Sequence, residues 1–383
     1  MKWRLINLSC FMVSVVSHAE TVQPKKVSSI TTPGKTSEAA IVAELRTLIA
    51  KIPETRKAIE NTLKTQDKTS KWNNFSVDDF LNYFNQWLVF NIGYDDPKKY
   101  VLQFDELVNT GGGDYLFNNN VFSSWFIKFL DARGDYLDTP ASAVTIKDWI
   151  KKLGPKMNDF VIPKNGFQNF NEFFLRELKD NARPLGGKGN QYAVNSVADG
   201  TICQIYPNDL DENFIIKRDV INVRQAMNNS PYAERFIGGP IVDTLLWFTD
   251  YHHFHAPVSG KLLEVTDYTG SYNYNFANVN WYKHLAKHKR TCYIFDTQKV
   301  GLVAMIPVGF WAVGSIVTDK KMVKGCNIQA GQKIGHFKYG GSSILLIFEP
   351  NKVDFVIDIP KVKTGDHGVA VKVKQLIAQG KKK

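Results

Sequence analysis

The chain is poor in the features that mark metal, redox or membrane-spanning proteins. Only 4 of its 383 residues are cysteine. None stands in a Cys-x-x-Cys or Cys/His spacing, which excludes a zinc finger and leaves no expected metal. After the first 17 residues no apolar run approaches the roughly 20 residues that a helix needs to cross a bilayer. There is no internal repeat and no low-complexity tract. Gly111-Gly112-Gly113 lacks the following Lys-Ser/Thr of a phosphate loop and reads as a plain loop. No Gly-x-Ser-x-Gly elbow surrounds Ser342, which weighs against a Ser-His-Asp hydrolase. The formal charge is +11, yet the lysines are scattered apart from Lys381-Lys382-Lys383. No nucleic-acid partner is therefore expected.

What is present reads as globular, with 44% hydrophobic and 22% charged residues and enough length for more than one folded unit. The basic excess favours an anionic partner such as a phospholipid surface. Lys2 and Arg4 precede an apolar segment from Leu5 to about Ser17, and Ser17-His18-Ala19 places small residues at the positions a signal peptidase reads. The expectation is a signal peptide over residues 1–19 and an exported protein, periplasmic or secreted, that touches membranes only peripherally. Its removal takes Cys10 and leaves Cys203, Cys292 and Cys326. This odd number permits one disulfide at most.

Residues 20–36 are rich in Pro, Lys, Ser and Thr and read as a flexible lead. Residues 37–164 carry helical signals. Ile41, Leu45, Leu48, Ile49 and Ile52 share one helical face between Ser37 as cap and Pro53 as stop. Ser76 with Asp79 has the form of a capping box before the stripe Phe80, Phe84, Trp87 and Leu88. Thr145 with Asp148 marks a further start leading into Trp149 and Leu153. These aromatic stripes are expected in the core. From about residue 185 the texture turns to short β-type runs between Gly, Pro and Asn. The clearest are 262–265, 303–307, 344–348 and 353–359, the last alternating at Val353, Phe355, Ile357 and Ile359. The fold class is α+β, a helical N-terminal region followed by a β-rich region within residues 165–383.

The chemistry gathers around Gly340-Gly341-Ser342-Ser343. The Ser342 hydroxyl can attack the carbonyl of Gly341, which has no side chain to block approach and tolerates strained dihedrals. An imidazole has the right basicity to take the hydroxyl proton, and a carboxylate behind it would fix its tautomer. Asp250-Tyr251-His252-His253-Phe254-His255-Ala256-Pro257 supplies imidazoles, and Asp199-Gly200 a carboxylate. The resulting ester can eliminate, cutting the chain and leaving a pyruvoyl group. That electrophilic carbonyl forms an imine with a substrate amine and accepts electrons as carbon dioxide leaves. On a regular strand His253 and His255 share a face while His252 points away, so a bend near Pro257 is needed to bring His252 and His255 together.

These residues resemble the phosphatidylserine decarboxylase family of pyruvoyl enzymes over roughly residues 165–365. The resemblance runs through Phe170, Phe173-Phe174, Arg176, Leu178 and Ala182-Arg183-Pro184, then Ala198-Asp199-Gly200. It continues with Asp250-Tyr251-His252, Phe254-His255-Ala256-Pro257 and Gly260. It ends at Gly331, Gly335, Phe337, Gly340-Gly341-Ser342-Ser343 and Phe348-Glu349-Pro350. It implies that Asp199, His255 and Ser342 are the self-cleavage triad, with the cut between Gly341 and Ser342 giving β and α chains. His252 then handles the proton at the substrate α-carbon, and His253 is a bystander. It implies conversion of phosphatidylserine to phosphatidylethanolamine, with a pyruvoyl cofactor made from Ser342 and an α/β heterodimer that can assemble further.

The chain departs from the common pattern in three places. Many bacterial members carry Leu-Gly-Ser-Thr at the cleavage point. His288-Lys289-Arg290 stands in place of an Asn-Glu-Arg element. The long helical N-terminal region, with Trp125-Phe126 and Phe129-Leu130-Asp131, is similar to the extension on soluble relatives that decarboxylate free amino acids such as tryptophan. A free L-amino acid is therefore the alternative substrate. A non-catalytic protein of membrane surfaces is the alternative of another class.

Overall fold

The computed structural model describes residues 38–108, 112–206, 213–216, 219–268, 289–309, 315–339, 342–358 and 368–382. The expected signal, the lead, Ser37, His288, Gly340, Gly341 and Ile359 lie outside these residues. The architecture is helices first and antiparallel strands after, as the periodicity predicts. The helices are α1 (Ala40–Lys51), α2 (Pro53–Lys64), α3 (Val77–Leu88), α4 (Lys99–Leu107), α5 (Gly113–Phe117), α6 (Asn120–Leu137), α7 (Ile146–Leu153) and α8 (Phe170–Phe174). Pro53 both ends α1 and occupies the first turn of α2, where its missing N–H costs nothing. Val42, Leu45 and Ile49 are the buried face of α1. The capping box of Ser76 and Asp79 forms as expected and opens α3. Thr145 does precede α7, but its hydroxyl donates to the Ile92 carbonyl at 2.7 Å instead of capping. Gly113 opens α5, so the expected loop gives way to a helix there.

Apolar periodicity makes the helical region one aromatic core. Phe84 meets Trp125 edge-on at 5.0 Å and Phe129 at 4.9 Å, geometries that suit the quadrupoles of the rings. Arg133 of α6 closes the end of α3 by donating to the Leu88 carbonyl at 2.7 Å and to that of Phe90. A second cluster joins Ile92, Leu137 and Trp149 to Phe170, Phe173, Phe174, Tyr251 and Val373. Helical and β-rich parts thus share apolar contacts across the boundary read near residue 165.

The strands are β1 (Ala193–Asn195), β2 (Gly200–Tyr206), β3 (Asn213–Ile216), β4 (Asp219–Asn222), β5 (Ile241–Leu246), β6 (His253–His255), β7 (Gly260–Tyr268) and β8 (Arg290–Thr297). They continue with β9 (Gly301–Gly309), β10 (Ile316–Thr318), β11 (Asn327–Ile328), β12 (Lys333–Phe337), β13 (Ser342–Phe348), β14 (Val353–Phe355), β15 (Val369–Val371) and β16 (Leu376–Gly380). The main sheet has the order β11-β7-β8-β9-β13-β5-β2-β15. Two smaller sheets, β10-β12-β6 and β1-β16-β14, and the hairpin β3-β4 accompany it. Of the run expected over 353–359, the described residues form a strand to Phe355, and Val356 is exposed.

β13 is buried at all seven positions because both faces of the sheet are covered. Ile344, Leu346 and Phe348 enter the cluster that holds Phe254 and Phe337. Leu345 and Ile347 enter the opposite cluster with Met227, Phe236 and Ile306. No disulfide joins Cys203, Cys292 and Cys326. None of the described helices is long and apolar enough to cross a membrane. Phe84→Ala should remove the centre of the helical core and destabilise the protein by about 3–5 kcal/mol, read as a lowered denaturant midpoint. A change below about 1 kcal/mol would contradict the packing described.

Candidate active site

Sheet register brings the singled-out residues to one end of the fold. Ser342, first residue of β13, pairs with Leu246, last residue of β5, and on its other side with Gly309. Beyond β5, Thr201 pairs with Leu245, so Asp199 immediately precedes the strand on that side. Ser342 and the start of β2 therefore sit at the same sheet end, about 10 Å apart as two strand spacings. The chain leaving β5 makes a tight loop in which the Trp247 N–H donates to the Asp250 carboxylate at 2.7 Å. It then enters Tyr251, His252 and β6. Phe337 at the end of β12 donates its N–H to the His252 carbonyl at 2.9 Å. The same backbone then runs on toward Ser342.

Ser342 is completely buried, and its hydroxyl has no hydrogen-bond partner; nor has that of Ser343. An unsatisfied buried hydroxyl costs about 1–3 kcal/mol and calls for an explanation. By the two-residue period of a strand, Ser342 faces the same side of the sheet as Ile344 and Leu346. That side carries Phe254 of the histidine strand.

Backbone carbonyls set the three histidine tautomers. His252 Nδ1 lies 3.0 Å from the Asp250 carbonyl. A carbonyl only accepts, so Nδ1 carries the proton and Nε2 keeps its lone pair. Nε2 has no partner, and the ring is fully buried against Phe174 with centroids 3.8 Å apart. Burial, helped by the Arg176 charge, holds this imidazole well below its usual pKa. It is a neutral base in waiting. His255 Nδ1 donates to the Gly331 carbonyl at 2.7 Å, leaving Nε2 to accept from the Tyr251 hydroxyl at 3.2 Å. Burial pulls His255 down to about 4. His253 uses Nε2 on the Leu175 carbonyl at 2.8 Å and stacks on Tyr251 at 4.9 Å.

Asp199 is 2% exposed, and the two His255 nitrogens bond to Gly331 and Tyr251, not to Asp199. Its carboxylate accepts from Arg183 Nε at 3.1 Å and Nη2 at 2.8 Å, from the Val373 N–H at 2.8 Å and from Lys372 Nζ at 3.3 Å. Burial alone would raise its pKa, but the Arg183 bonds, the Lys372 charge and the Val373 N–H outweigh it and hold the group ionised. The carboxylate expected behind His255 is thus engaged by Arg183, and the Gly331 carbonyl fixes the ring instead. Among the described residues no group of three or more His, Cys, Asp or Glu is placed to hold a metal.

Several supporting residues had no role in the sequence reading. Arg176 packs its guanidinium over the Phe160 ring at 4.3 Å and donates to the Thr249 carbonyl at 2.6 Å, fixing the loop after β5. Burial lowers its pKa to about 10, against the attraction of Asp250 and Asp199. Arg176 and Arg183 were legible as members of a Phe-rich segment, but their partners lie far along the chain. The helical region also reaches this end. Tyr339 donates its hydroxyl to the Pro97 carbonyl at 2.7 Å, and Lys98 lies over the Trp247 and Phe248 rings at 5.6 and 5.3 Å.

Arg183→Met should leave Asp199 buried without its main partner and cost roughly 3 kcal/mol; a denaturant midpoint equal to that of the parent would refute the pairing. Buried His255 and half-buried His336 are both held down to about 4, from an ordinary 6.5, chiefly by burial. The unfolded chain takes up these protons near pH 6.5 and the folded chain only near 4. Stability should therefore be full above 6.5 and fall as pH drops toward 4. His255→Asn should flatten that fall in a melting-temperature series. An unchanged slope would contradict the neutral buried ring.

Comparison with known proteins bears on the same segments. The family model for phosphatidylserine decarboxylase matches residues 170–379. Phosphatidylserine decarboxylase proenzyme 3 of Schizosaccharomyces pombe is 32% identical over 249 residues, 64% of this chain and 26% of the relative. The chain thus spans about a quarter of that protein. The phosphatidylserine decarboxylase proenzyme of Fusobacterium nucleatum is 32% identical over 235 residues, 60% of this chain and 76% of the relative. That of Clostridium tetani is 30% identical over 254 residues, 63% and 84%. The match contains Asp199, the histidine strand and Ser342, so the residues gathered at this sheet end belong to the shared part, and the chain is a member of the phosphatidylserine decarboxylase family.

Proposed function

We propose that the chain is an exported proenzyme that cuts itself between Gly341 and Ser342 and then decarboxylates phosphatidylserine to phosphatidylethanolamine and carbon dioxide. The observation that carries this reading is the Ser342 hydroxyl, buried and unpartnered at the start of a central strand. A hydroxyl with no competing hydrogen bond can spend its lone pair on the preceding carbonyl. Oxygen bonds to the Gly341 carbonyl carbon and the peptide C–N bond breaks, giving an ester and a Ser342 amine. A base then removes the Ser342 α-proton, the Cβ–Oγ bond breaks, and Gly341 leaves as a carboxylate. The resulting dehydroalanine takes up water and releases ammonia.

The residues present fit a pyruvoyl group at position 342, since the orphaned hydroxyl is its precursor and unprotonated imidazoles lie at the same sheet end. That group supplies an electrophilic ketone that engages the substrate amine and draws off the electron pair released with carbon dioxide. His255 Nε2, with its lone pair facing the Tyr251 hydroxyl, is the base for the Ser342 hydroxyl proton. Asp199 acts through its bonds to Arg183, Lys372 and Val373, which hold the chain entering β2 in place at this sheet end. His252 Nε2, whose lone pair is left free by the Nδ1–H bond to the Asp250 carbonyl, takes up a proton from solvent and passes it to the substrate α-carbon. The cut chains stay together as an α/β heterodimer, because β13 lies between β5 and β9, and β15 and β16 pair with β2 and β1.

A free amino acid is the second reading, favoured by the helical region packed onto the site through Pro97 and Lys98. Release of labelled carbon dioxide from carboxyl-labelled phosphatidylserine, and not from labelled tryptophan, is the expected result; the reverse would assign the second reading. Ser342→Ala should run as one full-size band with its circular dichroism preserved. His252→Ala should still process but lose about 10²–10⁴-fold in turnover. Failure of His252→Ala to process would overturn the division of roles between the two histidines.

A further inference from the structure

A cavity of about 350 Å³ lies in the seam between α6 and the β-rich region. Its apolar wall includes Trp87, Leu130 and Leu137 from the helical side, with Tyr339 from the chain leading to Ser342. Tyr339 is three residues before Ser342, so their backbones lie within about 10 Å. The cavity thus lies near the end of the sheet where the chemistry gathers, with Tyr339 as the link, although Ser342, His252 and His255 are not in its lining.

One residue of its lining is out of place on helical grounds. Gly134 sits within the 18-residue helix α6, where glycine costs stability relative to alanine. A Cβ added there would meet nothing within 4 Å, so no close packing demands glycine. Gly134 lines the cavity, and a larger side chain there would start from a Cβ with open space around it. Retaining glycine keeps that space clear.

The charges of the lining sort by depth. Arg133 is buried, with its guanidinium bonded to backbone carbonyls. Lys289 and Lys338 are half-buried, and Lys338 pairs with Asp138 at 2.8 Å. Asp131 and Asp135 also line the cavity but are exposed, where water and salt screen them. The deeper charges are positive and stand beside aromatic and aliphatic surface.

From this arrangement we infer that the seam cavity binds the part of the substrate beyond its reacting amine, and that it takes an amphiphilic anion, with an apolar body against Trp87 and Leu130 and an anionic group toward Lys289 and Lys338. The inference rests on the decarboxylase reading above and extends it, since α6 then supplies one wall of the specificity pocket. Phosphatidylserine carries this chemistry in its phosphodiester and glycerol ester, whereas an aromatic amino acid offers only its ring, because its one carboxylate is the group lost as carbon dioxide.

The test separates binding from turnover. Soluble dihexanoyl phosphatidylserine and L-tryptophan are titrated calorimetrically into full-length Ser342→Ala protein, which cannot form the prosthetic group. Dihexanoyl phosphatidylserine should bind; binding of L-tryptophan alone would overturn the anionic half of the inference. Adding Gly134→Leu, which fills the cavity without a backbone clash, should weaken that binding at least tenfold while the melting temperature holds or rises. Lys289→Glu should also weaken it, with the loss shrinking at high salt. In the processable protein, Gly134→Leu should raise KM at least tenfold with the extent of self-cleavage unchanged. Equal binding with and without Gly134→Leu, or binding of neither probe, overturns the inference. Failure of the parent protein to cleave would instead count against the decarboxylase reading and leave the calorimetric result standing.

Discussion

Everything at the candidate site depends on the antiparallel register that sets Ser342 opposite Leu246. One slip of that pairing would turn every side chain of β13 to the other face of the sheet. The apolar run Ile344–Phe348 resists such a slip because its alternate residues fill two different clusters. The same pairing fixes where β5 ends, and so where the loop to His252 begins. Stability of the strand and placement of the serine are thus one constraint.

Around that strand end, buried polar groups are satisfied unevenly. Asp199 accepts four hydrogen bonds from three residues and stays ionised. Each histidine gives its proton to a main-chain carbonyl, so each keeps one basic nitrogen. Ser342, Ser343 and His252 Nε2 have none. Native interiors seldom leave such atoms bare, and their concentration on the segments leading to and from the site suits reacting groups better than structural ones. Neutral imidazoles suit a proton acceptor, and low local polarity strengthens the charges that remain.

Local patterns made most of the architecture legible. The capping box at Ser76 and the stripe through Phe84 specify their helix within a few residues of sequence, and the run at 344–348 specifies a strand buried on both faces. Less legible was whatever depends on distant partners. Val353–Ile359 alternates like a strand, yet among the described residues the strand ends at Phe355, with one further bond from the Val356 N–H to the Ile377 carbonyl of β16. Thr145 has the residues of a cap, but the Ile92 carbonyl claims its hydroxyl. The bonds of Asp199 to Arg183 and Val373 join segments 16 and 174 residues away, and no spacing rule anticipates that Gly331 orients His255. The order of motifs could name the site; its hydrogen-bond wiring required the fold.

Most of the helical region lies outside residues 170–379, the span that the family model matches. It packs against the loop after β5 and against Tyr339, so it stands close to any substrate that reaches position 342. The central claim, however, concerns the backbone itself. Intact mass spectrometry of the purified protein under denaturing conditions tests it most directly. The account predicts two polypeptides divided between Gly341 and Ser342, the smaller beginning with a ketone that borohydride reduces. A single uncut polypeptide carrying an ordinary serine at position 342 would contradict it.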